Sequence, residues 1–162
     1  MNTIIYPYIP PNRHIRYVSA EHPYMVAAKT CAHEESLDTT MPVGSVVVLD
    51  GVVVGRGANG SNYHKTNVCE RVLQGVPSGT RYDLCEGCHP KNHSERKAVA
   101  DALANGYSLV GASLYSWGHW WACESCWSAI IEAGIKDVYF MEKSEVLFNR
   151  DHPGNIIGRQ FA

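Results

Sequence analysis

Residues 92–141 read NHSERKAVADALANGYSLVGASLYSWGHWWACESCWSAIIEAGIKDVYFM. A helix is expected from His93 to Asn105, where Gly106 supplies the left-handed residue that closes such elements. Leu109 to Tyr115 reads as a strand, Cys123 to Ala133 as a helix closed by Gly134, and Lys136 to Met141 as another strand. A strand–helix–strand crossover demands a parallel pair, so the chain is expected to build a mixed sheet with helices packed on it.

Working outward, His22 to Ser36 is rich in helix formers, with Met25, Ala28, Ala32 and Glu35 at helical spacing. Ser45 to Leu49 is a β-branched run, Asp50-Gly51 is a hairpin turn signal, and Val52 to Val54 continues as the second strand. The runs Ser45–Leu49 and Asp137–Phe140 suit central strands. Gly55, Gly57 and Gly60 then break regularity. Ser61 to Lys91 is a long polar stretch, and a loop of that length in a compact domain is functional or tied down. Residues 1–11 read as an extended arm within an N-terminal region 1–20, and the tail from Glu142 as a short strand or an arm.

The chain has 162 residues, 45% of them apolar, which fits one domain spanning 1–162. The net charge is -2 with no long basic run, so a grip on long nucleic acid is not expected. No segment approaches the roughly 20 apolar residues of a membrane span, and the start lacks a signal peptide's basic and apolar regions. A cytoplasmic location is expected. In a reducing compartment the six cysteines, two pairs of them spaced Cys-x-x-Cys, point to metal or redox chemistry rather than disulfides.

His93 with Cys123 and Cys126 is a donor set that zinc prefers, and three protein ligands leave a fourth position open, the mark of a catalytic site. Both groups fall at expected helix N-termini, where backbone N–H groups favour thiolates. Glu95 is placed to take a proton from water activated by the metal and to hand it on. Blander readings stand beside this one. Asn92-x-x-Glu95 is a capping box, Cys123–Cys126 alone could be a redox pair, and Cys85–Cys88 with Cys123–Cys126 could form a closed four-cysteine site. The 34 residues between those pairs exceed the usual spacing of roughly 15–20, and a closed site leaves His93 and Glu95 unexplained.

His-x-Glu opening one helix and Cys-x-x-Cys opening the next resembles the cytidine and deoxycytidylate deaminase superfamily, over roughly Pro23 to Phe140. Ala122 stands where that family usually has proline. Val43-Gly44-Ser45-Val46-Val47-Val48 and Gly57-Ala58-Asn59-Gly60 look like the deoxycytidylate branch. The resemblance implies a three-layer α-β-α fold of the α/β class. Its central mixed sheet would have about five strands, with a last strand and helix in the tail. It also implies a catalytic zinc on His93, Cys123 and Cys126, Glu95 as the proton carrier, and hydrolysis of dCMP to dUMP and ammonia. Asn59 would contact the sugar, with Ala122, Tyr115 and Trp121 beside the substrate and Tyr139 at the same end of the sheet.

Some members of that branch carry a structural zinc in the insertion, here residues 61–92. Cys69, Cys85 and Cys88 are the favoured ligands, with His64, His89 or Cys31 completing four. His33-Glu34 is read as a solvated helix face. Lys65, Arg71, Arg96 and Lys97 are candidates for a 5′-phosphate. The run Trp117-Gly118-His119-Trp120-Trp121 could stack on the base or pack in the core. The expected partners are a nucleotide and further copies of the chain, with the apolar stretch Ile4 to Ile9 as a contact arm. Deamination of another base or nucleotide, or a non-enzymatic zinc module, are the alternatives.

Overall fold

A computed structural model describes residues 7–77 and 79–161. Five strands form one sheet: β1 (Ile15–Val18), β2 (Gly44–Leu49), β3 (Val52–Ala58), β4 (Ser113–Trp117) and β5 (Asp137–Met141). Their order is β1-β5-β4-β2-β3. β1, β5 and β4 run parallel, while β2 is antiparallel to β4 and β3. The longer helices are α1 (Pro23–Glu35), α4 (Ser94–Ala104) and α5 (Glu124–Glu132), and the shorter ones are α2 (Tyr63–Thr66), α3 (Glu70–Leu73) and α6 (Ser144–Leu147). None is long and apolar enough to cross a membrane.

The strands alternate their side chains between two cores, as a period of two requires. Val47, Leu114, Val138 and Phe140 face Ala98, Val99 and Ala102 of α4 and Cys126, Trp127 and Ile130 of α5. Val46, Val48, Tyr115 and Trp117 face Met25, Ala28 and Ala32 of α1, and Phe148 after α6 joins them. The result is the expected three-layer α-β-α sandwich. Asp50 and Gly51 both take positive φ, 50° and 79°, which makes the two-residue turn joining β2 to β3.

The fifth strand departs from expectation. It comes from the N-terminus, not the tail: Ile15 to Val18 pair with Val138 to Met141. Arg13 donates to the carbonyl of Ile135 and Arg16 pairs with Asp137 at 3.0 Å, which anchors the strand at the edge. The N-terminal region is therefore sheet, not arm, from residue 15. Before it, the Tyr8 carbonyl accepts from the Trp127 indole of α5, so Tyr8 packs on this chain's own core while Ile9 is exposed. Ile4 and Ile5 lie outside the described residues. Among the described residues the tail contributes α6 and turns, without a strand. β4 begins at Ser113, not Leu109, because Gly111 takes a φ of 80° and its N–H bonds the Gly134 carbonyl, turning the chain into the strand.

Gly55 lets α4 lie against β3. A Cβ there would meet the Ala98 carbonyl oxygen at 2.5 Å and the Ala102 Cβ at 2.6 Å. Gly55→Ala is expected to cost about 1–3 kcal/mol by overpacking. At roughly 2–4 °C per kcal/mol for a chain of this size, thermal unfolding should register the loss. An unchanged midpoint would mean that α4 can withdraw without penalty.

Candidate active site and a second metal cluster

His93 is the N-cap residue of α4 and Cys123 that of α5. Both helices rise from the sheet on the same face, which brings the two N-termini together. His93 Nδ1 lies 3.5 Å from the Sγ atoms of both Cys123 and Cys126. The hydrogen bond from Cys126, and then His93, hold the Cys123 thiol down to about 4 despite its burial. Burial pulls the His93 ring down, but the Cys123 thiolate overrides it and holds the ring above its ordinary range. The Cys88 backbone adds to that upward pull.

Glu95 is only 5% exposed. Its Oε2 lies 3.8 Å from Cys126 Sγ and 3.3 Å from Ser94 Oγ, and burial pushes its carboxyl up. The capping-box reading does not hold. The N-cap is His93, not Asn92, and the Asn92 amide donates instead to the carbonyls of Glu86 and Gly87. Glu95 thus points at the thiol–imidazole group rather than back along the chain.

A cleft of about 390 Å³ opens beside Cys123, lined by Gly79, Tyr82, Glu124, Ser125 and Ser128. Tyr82 sets its ring edge-on to His93 at 5.0 Å between centroids. Sequence reasoning passed over Tyr82, since a tyrosine in a polar loop carries no periodic signal. Ala122 and Trp121 are buried next to Cys123, and the Trp121 N–H bonds His119 Nδ1 at 3.2 Å. Burial pushes the His119 ring down to about 4. Trp117 packs in the α1 core, edge-on to Phe148.

Tyr115 is a correction. It lies on the α1 face, stacked on Tyr139 at 4.5 Å and beside His22, with the sheet between it and His93. Its neighbours Leu114 and Ser116 point to the α4 side, and strand alternation forbids Tyr115 from joining them. Asn59 braces the loop ahead of β2. Its Oδ1 accepts from Val43 N–H and from Ser36 Oγ, and its Nδ2 donates to the Met41 carbonyl. Of the phosphate candidates, Arg96 donates to Ser125 Oγ at the cleft, Lys97 to the Gly60 carbonyl, and Arg71 to the Thr80 and Pro77 carbonyls. His33 and Glu34 are exposed, as expected of a solvated face.

The insertion folds around a second cluster: His64, Cys69, Cys85 and Cys88, whose donor atoms all lie within 4.8 Å of one another. His64 Nε2 is 3.1 Å from Cys85 Sγ, and Cys69 Sγ is 3.6 Å from Cys88 Sγ. Cys31 and His89, the other two candidates, are elsewhere. Cys31 is buried in α1 and donates to Glu35, while His89 caps its own turn by accepting from Lys91 N–H. Three sulfurs with one imidazole is a closed donor set for zinc, and two sulfurs with one imidazole is an open one. Both clusters fit zinc by donor chemistry.

The model of the cytidine and deoxycytidylate deaminase zinc-binding region matches residues 18–142. The chain belongs to that family of zinc-binding deaminases. Comparison with curated protein sequences found no match. Among solved structures it is similar to the dCMP deaminase of cyanophage S-TIM5 in complex with dCMP and dUMP. The identity is 28% and the TM-score 0.50, over 72% of this chain and 76% of that one. It is also similar to a diaminohydroxyphosphoribosylaminopyrimidine deaminase/reductase of Thermotoga maritima (26%, TM-score 0.45, 72% of this chain). A third similarity is to the guanine deaminase of Bacillus subtilis (21%, TM-score 0.44, 72% of this chain and 60% of that one). The chain spans 28% of the length of the Thermotoga protein.

Proposed function

We propose that this chain hydrolyses a cytosine deoxynucleotide, dCMP foremost, to the uracil nucleotide and ammonia. The observation that carries the reading is the buried Glu95 carboxylate beside the His93, Cys123 and Cys126 donors, at the edge of a cleft. Zinc held by those three residues supplies the acidity that makes water nucleophilic near pH 7. Glu95 takes one proton from the attacking water and delivers it to ring N3, then takes the second from the hydroxyl left on C4 and passes it to the amine, which departs as ammonia while the C4 oxygen becomes the carbonyl. Burial favours the protonated carboxyl and so eases the first of these transfers. Tyr82 walls the cleft, and Arg96, which donates to Ser125 Oγ at its edge, is the cation assigned to a 5′-phosphate in this reading.

The likeness to an enzyme solved with dCMP and dUMP supports the choice of nucleotide. A second zinc, structural and held by His64, Cys69, Cys85 and Cys88, belongs to the same reading. The test is ammonia release by the zinc-loaded protein. Release from dCMP is expected to exceed that from dCTP, guanine or adenosine. Preference for one of those instead would overturn the substrate and keep the reaction class.

A further inference from the structure

The insertion enters the cleft through Gly79 and Tyr82, and the other lining residues, Cys123, Glu124, Ser125 and Ser128, belong to the start of α5. Tyr82 is the one aromatic side chain among the described residues that line it. Its ring is held from two directions. It meets His93 edge-on, and the Arg71 guanidinium stands over it, 4.5 Å from its centroid. Arg71 is itself fixed, with Nε donating to the Thr80 carbonyl at 2.9 Å and Nη2 to the Pro77 carbonyl at 3.1 Å.

Both residues are tied to the second cluster. Arg71 lies in α3, two residues after Cys69, the N-cap of that helix. Tyr82 lies three residues before Cys85, whose N–H bonds the Tyr82 carbonyl at 3.3 Å. Just ahead of Tyr82, Arg81 takes a φ of 51° and donates twice to Asp83, at 3.0 Å each. Left-handed backbone is uncommon outside glycine, and such residues cluster at ligand clamps. A loop that only joined Cys69 to Cys85 would need neither that conformation nor a guanidinium over a tyrosine.

We propose that Tyr82 is the ring on which the substrate base stacks, and that Arg71 is the positioning residue that keeps it there. The insertion then supplies one side of the active-site slot as well as a metal clip. The inference rests on the reading of this cleft as the place where an aminated base is hydrolysed. A flat heterocycle stacks well on a flat ring, and every base has such a face. Arginine suits the holding role because its plane can lie on an aromatic ring while its N–H groups reach carbonyls in that plane, which a lysine cannot do. The stack is made before the transition state and kept in it, so it belongs to binding and not to the chemical step.

Tyr82→Leu keeps an apolar side chain without an aromatic face. It is expected to raise KM about 10- to 100-fold, with kcat held within about 2-fold and zinc content unchanged. Tyr82→Phe should return KM to within about 3-fold of the wild type. Arg71→Lys should raise KM about 3- to 10-fold, and Tyr82→Leu/Arg71→Lys should match Tyr82→Leu alone, since no ring is left to hold. Calorimetric titration with the deaminated product, dUMP for dCMP or xanthine for guanine, reads the same contact without turnover. An unchanged KM in Tyr82→Leu, a loss of zinc, or a fall in kcat that Tyr82→Phe leaves unrepaired overturns the stack in favour of a prop for the loop. Additive losses in the double variant overturn the role of Arg71. A protein that prefers guanine overturns the substrate reading instead. Weaker xanthine binding in Tyr82→Leu then keeps the stack, and unchanged binding overturns it.

Discussion

Glu95→Gln is expected to lower kcat by about 10²–10⁴-fold, the range a positioned acid–base group contributes. Glutamine keeps the volume and can still bond Ser94, but it cannot carry a proton. Glu95 is outside the His93, Cys123 and Cys126 donor set, so the zinc content should not change. Stability should hold or rise slightly. The carboxyl is 5% exposed and pushed up by burial, so a neutral amide removes a desolvation penalty. Steady-state kinetics, zinc analysis and a thermal melt on the same preparation separate these effects. Activity retained with zinc bound would remove Glu95 from the chemistry and favour a zinc-binding module.

Cys85→Ser is expected to reduce bound zinc from two ions per chain to one and to loosen the insertion. Cys85 is 2% exposed and 3.1 Å from His64, so its loss cannot be made good by water. The helices of this region, α2 and α3, have four residues each and bury none. Helices that short do not hold alone in water. A closed zinc site contributes roughly 10–16 kcal/mol in small zinc-finger peptides, enough to order such a segment. Limited proteolysis should cut within residues 61–92 in the variant and spare the wild type. Because Tyr82, three residues before Cys85, packs edge-on to His93, kcat/KM should fall as well, with the first zinc in place. A wild-type protein with one zinc, resistant to proteases with or without Cys85, would dismiss the second site.

The open donor set and its carboxylate were legible because they are local. His93 and Cys123 sit at the first turns of strongly patterned helices, and helix position follows from spacing. The second cluster was legible only as a pool of donors. Choosing His64 over His89 and Cys31 depends on the path of a non-periodic loop, which no hydrophobic pattern records. Tyr115 went to the wrong face because Ser116, a polar residue, does not advertise that it points inward. It points inward to accept from Ser45, which also meets Ser94, contacts made between β2, β4 and α4. Ile15 to Val18 escaped notice for a related reason. Four residues with an arginine among them carry no alternation to read, and their partner strand lies at the other end of the chain.

That pairing bears on how the molecule comes to be made. Arg13 and the Ile135 carbonyl that it bonds are 122 residues apart, and β1 pairs with β5 alone. Of the five strands described, β1 is therefore made before the others yet is the last to find its partner, since β5 must be synthesised before that edge can close. Until then the nascent chain carries β2, β3 and β4, which pair among themselves, with one flank open. Closing so long a loop is slow. A sheet that waits with an open flank is where two nascent chains would pair wrongly, and slowing translation after β4 should lengthen that exposure.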